Sequence, residues 1–390
     1  APSNLTRPSD RELVLLSNRM GSRPPTCGNH VELLTKAKDT YWELEACIEG
    51  ARDHVHMLYY IFEDDPTGKR FRDLLVKKAK EGVIVRLLTD GVGSYGLDSF
   101  MGPLRAAGGQ HAEFLPVGAF RRHWNLNLRN HRKIAVIDGR VGFTGGVNIT
   151  DSYVPRRWRK VPPWRDTHMI LRGPGVQHLQ EVFAEDWFFA TGRDLISERW
   201  YPEQQPAGDD VVQIIASGPD TATEPIQRIF FTAVTMARER VWLTTPYFIP
   251  DQAMCVALET AALRGVDVRL LLPKNSDHPL VLYAGRSYYD TLLQSGVKIY
   301  EYGASFLHAK SLVVDRTWAT VGSANMDVRS FRLNFEVNAA IYSARFADRL
   351  AEVFIQDLAG AEQVTSKHRD ARKLPQRVAE SVSRLLSPVL

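Results

Sequence analysis

The chain has 390 residues, 44% hydrophobic and 24% charged, with 49 Lys and Arg against 45 Asp and Glu for a net charge of +4. That balance excludes a disordered or collagen-like polymer, and no run of about 18 apolar residues is present to span a bilayer as a helix. The length suits two domains with separate cores, and the mild basicity is compatible with a phosphate-bearing partner without naming one.

The chain opens at Ala1 without an initiator Met or a cleavable leader, as expected of a processed or truncated sequence, and residues 1–27 read as an N-terminal extension. Residues 55–62 (VHMLYYIF) predict a strand, 68–81 a helix and 83–88 (VIVRLL) a buried strand. The same order returns later as strand 241–249 (VWLTTPYFI), a helix through Arg264 and strand 266–272 (VDVRLLL). Strands alternating with helices in both halves predict an α/β fold of two pseudo-equivalent α/β/α sandwich domains, 28–205 and 206–366. The boundary is set by 201–210 (YPEQQPAGDD), where Pro, Gly and acid cluster between patterned regions. Residues 367–390 start polar and place Val378, Val382, Leu385 and Leu386 on one helical face, predicting a helix that packs back on the body.

A motif is duplicated across those halves. His131, Lys133 and Asp138 have the same spacing as His308, Lys310 and Asp315, and each set is followed, after six intervening residues, by a small-residue tetrad, 145–148 (GGVN) and 322–325 (GSAN). Alternation along a strand puts His and Lys on one face, an arrangement that sets a nucleophile or proton donor beside a fixed positive charge and suits phosphoryl transfer. Asp138 and Asp315 read as structural turn residues, since neither is placed to face an imidazole. The tetrads allow close backbone approach, and Asn148, Asn325 and Ser323 are candidate phosphate contacts. A catalytic imidazole needs a carboxylate to fix its tautomer, and Asp166 and Glu336, opening the strand-like run after each motif, are the candidates.

Nothing else in the sequence competes. There is no P-loop, H-E-x-x-H or G-x-S-x-G, and no cofactor or metal site is expected. Cys27, Cys47 and Cys255 lack metal or disulfide spacing, while His54, His56, His111 and His178 read as core or surface residues and His278 as a loop histidine. Arg121, Arg122, Arg129, Arg132, Arg140, Arg156, Arg157, Arg159 and Lys160 crowd the first motif with Trp124, Trp158 and Trp164. They form either an ordinary solvated surface or a rim for anionic head groups.

With these residues in view, the sequence resembles the phospholipase D superfamily, marked by the duplicated His-x-Lys-x4-Asp motif, and within it the bacterial cardiolipin synthases. The phrases 125–133 (NLNLRNHRK), 164–168 (WRDTH), 265–269 (GVDVR) and 277–279 (DHP) carry the likeness to that branch. The resemblance implies two α/β/α domains with one active site at their interface, working without metal. It further implies attack by His131 on phosphatidylglycerol to give a phosphatidyl-histidine, with His308 as acid and base, Lys133, Lys310, Asn148 and Asn325 on the phosphoryl oxygens, and Asp166 and Glu336 orienting the histidines. The expected partner is an anionic phospholipid surface containing phosphatidylglycerol rather than nucleic acid, at a bacterial cell membrane reached through an N-terminal anchor or peripherally. The alternative is a phospholipase D-type phosphodiester hydrolase, phospholipase or nuclease, which shares the phosphohistidine step.

Overall fold

The computed structural model describes residues 5, 7–116, 127–155 and 162–385. Both halves build the same run of strands. From the centre outward the first half reads Thr26–Leu34, His168–Arg172, Val141–Gly145, Ile134–Ile137, His54–Tyr59, Ile84–Asp90 and Gln110–Phe114. The second reads Asp210–Ser217, Glu336–Tyr342, Trp318–Gly322, Ser311–Val314, Arg240–Thr244, Asp267–Pro273 and Lys298–Tyr302, with Ala361–Val364 added at its outer edge. The halves do not form separate sheets: Thr26–Leu34 pairs antiparallel with Asp210–Ser217, joining them into one 15-stranded sheet.

The repeated helices start from repeated signals. Pro66–Lys80 is capped by Asp65, whose Oδ1 accepts the Gly68 N–H at 2.8 Å, and Gln252–Leu263 by Asp251, which accepts the Met254 N–H at 2.9 Å. The strand expected over 241–249 is interrupted, ending at Thr244 and resuming as Phe248–Ile249, because Pro246 supplies no ladder donor. One core cluster spans both halves under the helices Gly175–Thr191 and Ala344–Leu358, with Phe183, Trp187, Phe346 and Phe354 packed on strands of either half. The two remaining clusters lie on the opposite face, one per half.

The terminal segments both attach to the second half. The helix Pro8–Arg19 puts Leu13 and Val14 into the core cluster of Ile226, Ile229 and Phe230, so the N-terminal extension is part of the second half's packing. The helix Leu374–Leu385 packs against Pro279–Arg286, as expected, but in the opposite orientation to the expected one. Its apolar face, including Val378, Val382 and Leu385, is exposed, and buried Glu380 and Ser383 face the body. Leu386 lies outside the described residues. Cys27, Cys47 and Cys255 are free thiols. Among the described residues no helix is long and apolar enough to cross a membrane.

Candidate active site

The motif aspartates hold the hairpins together. Asp138 and Asp315 both take a left-handed backbone, φ 52° in each case, at the turn after a motif strand, a conformation that Asp tolerates better than most residues. Asp138 accepts the N–H groups of Asp53 (2.8 Å) and His54 (2.9 Å), and Asp315 those of Glu239 (2.8 Å) and Arg240 (3.2 Å). Each therefore ties its hairpin to the start of a neighbouring strand, away from the imidazoles.

Main-chain bonds across the two halves set what each histidine faces. Phe335 donates its N–H to the Arg129 carbonyl and His131 donates to the Phe335 carbonyl, both at 2.9 Å. The mirrored pair runs from Arg165 N–H to the Phe306 carbonyl at 2.9 Å and from His308 N–H to the Arg165 carbonyl at 2.7 Å. This register puts Glu336, from the second half, beside His131 of the first, and Asp166, from the first half, beside His308 of the second. The two carboxylates thus cross over.

The resulting dyads are unequal. His308 Nδ1 lies 2.6 Å from Asp166 Oδ2, which also receives the Tyr153 hydroxyl at 3.0 Å, while Oδ1 accepts the Thr167 N–H at 2.7 Å. With the His308 and Lys310 charges against it, buried Asp166 is held below the ordinary carboxylate range despite desolvation. His131 Nδ1 is 3.5 Å from Glu336 Oε1. Glu336 accepts hydrogen bonds from Ser323 Oγ and from Asn334 Nδ2, the latter at 3.2 Å, yet burial pushes it up to about 7 against the pull of Lys133.

Burial depresses both histidines and both lysines of the motifs. Desolvation first, then Lys310, brings His308 down to about 4, and desolvation followed by Lys133, Arg329, Lys310 and His308 holds His131 well below its ordinary value. Lys133 and Lys310 fall by desolvation to about 8 and about 7. Each ammonium folds back to donate to the carbonyl of its own motif histidine, Lys133 to His131 and Lys310 to His308. That the charges of both motifs act on His131 means that the two half-sites share one field.

Small differences between the tetrads account for the inequality. A Cβ on Gly146 would stand 2.0 Å from Asp166 Oδ1, so only glycine lets Asp166 reach its place. Ser323, at the equivalent position, has its hydroxyl on Glu336 and accepts the Val337 N–H at 3.0 Å. The expected phosphate contact from Ser323 is therefore corrected: the side chain is fully buried and serves Glu336. Asn148 keeps a buried Nδ2 without a partner among the described residues while its Oδ1 accepts the Ile61 N–H at 3.1 Å, which leaves an amide donor for a ligand. Asn325 differs, since its side chain hydrogen-bonds the Asp327 carboxylate and its Oδ1 is the unpartnered atom.

Several contributors were missed by sequence reasoning. The Tyr60 ring lies 4.0 Å from that of His131 and 5.3 Å from the Lys133 ammonium, while Trp164, expected on the surface or rim near the first motif, lies 5.2 Å from His308 of the second. Tyr153, Asn334 and the Tyr247 hydroxyl, which donates to Asp277 at 2.9 Å, complete the surroundings. Tyr60 adjoins a strand the repeat revealed, but no spacing signal marked it. Arg129 and Arg132, expected on a solvated surface or a rim for head groups, are instead buried: Arg132 bonds Asp186 at 2.6 Å and the Glu336 carbonyl at 3.1 Å, and Arg129 lies 3.5 Å from Asp90. Arg140 is exposed. Arg121, Arg122, Arg156, Arg157, Arg159, Lys160, Trp124 and Trp158 lie outside the described residues. His54 and His56 are core residues and His278 is an exposed loop residue. Among the described residues no cluster of metal ligands occurs.

Comparison with known proteins identifies the family. Residues 44–187 and 230–358 match the family model described as "Cardiolipin synthase, PLD-like domain". The chain is 43% identical over 386 residues to a cardiolipin synthase of Geobacillus kaustophilus, covering 98% of this chain and 77% of that protein. It is likewise 43% identical over 381 residues to cardiolipin synthase 2 of Bacillus cereus, covering 97% and 74%. Among solved structures, phosphatidylserine synthase of Haemophilus influenzae aligns with a TM-score of 0.71 over 97% of this chain and 98% of that one at 13% identity, a likeness of fold. The duplicated motif, the paired half-sheets and this identity over nearly the whole chain place it in one family: the chain belongs to the PLD-like cardiolipin synthases.

Proposed function

We propose that this chain is a cardiolipin synthase that moves a phosphatidyl group from one phosphatidylglycerol to the terminal hydroxyl of another. His131 Nε2 attacks the phosphorus, the bond to the glycerol oxygen breaks, and His308 gives that oxygen its proton. His308 then takes the proton of the incoming hydroxyl, whose oxygen attacks the phosphatidyl-histidine, forming cardiolipin and freeing His131.

The observation that carries this reading is the crossed, unequal pair of His–carboxylate dyads. A proton carrier must be stabilised as imidazolium, and the ionised Asp166 at 2.6 Å from His308 provides that. A nucleophile must be neutral, and His131, depressed by burial and by Lys133, Arg329 and Lys310 with Glu336 only partly ionised, meets that need. Lys133, Lys310 and the free Asn148 Nδ2 are the donors for phosphoryl oxygens. An arriving phosphodiester anion offsets the desolvation that lowers both lysines and His308, so substrate binding itself restores their protons. The substrate's lipid character makes an anionic bilayer the working surface, with the protein peripheral or held by a further segment.

The test is incubation of purified protein with vesicles carrying labelled phosphatidylglycerol, followed by product separation. Cardiolipin and glycerol in equal amounts are expected. Phosphatidic acid alone would overturn synthesis in favour of hydrolysis, and cleavage of plasmid DNA with no lipid product would favour a nuclease.

A further inference from the structure

The C-terminal helix Leu374–Leu385 is docked inside out. Its buried residues are Glu380 and Ser383, whereas Leu374, Val378, Val382 and Leu385, at helical spacing on one face, are 73%, 52%, 51% and 82% exposed. Ion pairs explain how a polar face can bind the body. Glu380 accepts two bonds from Arg369, at 3.1 and 2.9 Å, and one from Arg372, while both arginines also bind Asp290 at 2.7 Å. The network fixes the helix against the second half and leaves its apolar face pointing outward.

Charge identifies what covers that face. Beyond the paired Arg369 and Arg372, residues 366–385 expose Lys367, Lys373, Arg377 and Arg384 against Asp370, and Lys373 and Arg377 line one flank of the apolar arc. A second copy of the chain, meeting this one through the same face, would oppose basic flank to basic flank. The segments 117–126 and 156–161 are themselves basic, with Arg121, Arg122, Arg156, Arg157, Arg159 and Lys160, and do not complement it. An anionic phospholipid surface satisfies both halves of the face, with apolar residues in the acyl boundary and lysine and arginine at the head groups.

The position fits such a surface. The helix packs on Pro279–Arg286, which begins just after Asp277, the acceptor of the Tyr247 hydroxyl beside the active site. Leu280 at the start of that helix is 52% exposed. In the first half, the loop that packs Gly93 against the Tyr60 ring exposes Val92 by 39% and Tyr95 by 77%. Apolar side chains therefore stand in water on both sides of the site.

We propose that Leu374–Leu385 is an interfacial helix that seats the enzyme on anionic phospholipid, with its apolar face inserted and its basic flank on the head groups. The inference rests on the phosphatidyl-transfer reading only in taking a bilayer lipid as substrate. The test is sedimentation of the full chain with vesicles of phosphatidylcholine alone or mixed with phosphatidylglycerol. The chain carrying Leu374→Ser, Val378→Ser and Val382→Ser is expected to partition onto mixed vesicles at least about tenfold less than the parent. A second variant, Lys373→Glu with Arg377→Glu, keeps the apolar face and is expected to lose the preference for anionic over neutral vesicles. Circular dichroism checks that both fold, and both are expected to retain turnover of monomeric short-chain phosphatidylglycerol. Undiminished partition of the folded serine variant would overturn the proposal, as would a parent dimer that this variant converts to monomer. Failure of the parent to make cardiolipin from any substrate would instead refute the functional reading and leave the sedimentation result to stand by itself.

Discussion

Replacing Asp166 by Asn should harm the enzyme far more than replacing Glu336 by Gln, although both changes exchange a carboxylate for its amide. At Asp166, Oδ1 accepts the Thr167 N–H at 2.7 Å, so an Asn keeps its oxygen there and turns its NH2 toward His308 Nδ1, which lies 2.6 Å from Oδ2. A donor at that point forces the neutral imidazole to carry its proton on Nε2, where it cannot act as base. It also removes a charge-assisted bond of about 1.5–3 kcal/mol from the imidazolium. Wrong-tautomer changes of this kind cost up to roughly 10⁴ in kcat, and a loss of about 10³–10⁴ is expected. At Glu336 the Gln can turn its NH2 to Ser323 Oγ, which retains the Val337 carbonyl at 3.3 Å as an alternative acceptor. Its oxygen then stays on Asn334 Nδ2 and toward His131, the correct tautomer persists, and a loss of about tenfold is expected. The assay is initial-rate cardiolipin formation for both variants, with the acid-labile phosphoenzyme trapped in parallel. Equal losses, or a larger loss for Glu336→Gln, would refute the assignment of His308 to proton transfer.

His131→Ala should abolish both turnover and the phosphoenzyme, whereas His308→Ala should still form it from a substrate with an activated leaving group and then fail to transfer it; phosphoenzyme in His131→Ala would contradict the assignment. Asp138→Ala should lower unfolding free energy by about 2–4 kcal/mol, since it strands backbone N–H groups and leaves a left-handed residue without its side-chain bonds. The variant should leave kcat near the parent value, as urea unfolding and steady-state rates can check. Glu336 has a folded pKa raised by burial from 4.5 to about 7, so the folded state binds the extra proton and its ionisation weakens the fold as pH rises between those values. Glu336→Gln should therefore gain stability relative to the parent as pH goes from 4.5 to 7, and a difference independent of pH across that window would refute it.

The parts of the site legible in the sequence are those whose chemistry lies in local spacing. His131 with Lys133, His308 with Lys310, and the turn role of Asp138 and Asp315 all follow from period-2 alternation and turn chemistry inside one hairpin. The candidacy of Asp166 and Glu336 followed from their parallel position after each motif. Their partners did not, because the crossing depends on hydrogen bonds between segments some 200 residues apart, such as Phe335 to Arg129. Ser323 reads as a phosphate contact because a hydroxyl in a small-residue loop gives no sign of which buried acceptor it will meet. Arg132 looks like a surface residue for a similar reason: its partner Asp186 sits on a different element. In the last helix the apolar spacing is legible, but the direction it faces is set by Glu380, whose pairing with Arg369 and Arg372 outcompetes burial of four aliphatic side chains.

The crossing has a consequence for how the halves depend on each other. An isolated first half would hold Asp166 and Lys133 buried with no His308 to receive the carboxylate and no Glu336 to offset the ammonium, and a lone buried charge is costly. Main-chain groups of Arg129 and Arg165, which bond to Phe335 and to Phe306 and His308, would lose their partners as well. Arg132 would lose the Glu336 and Ser217 carbonyls, and Arg165 would lose Asp357, at 2.7 Å. Each carboxylate that orients a histidine is thus also a contact between the halves. The duplicated motif is for that reason one site rather than two: the interface that orders the sheet is the same set of contacts that orients the imidazoles, and neither half can be freed from the other without disarming both.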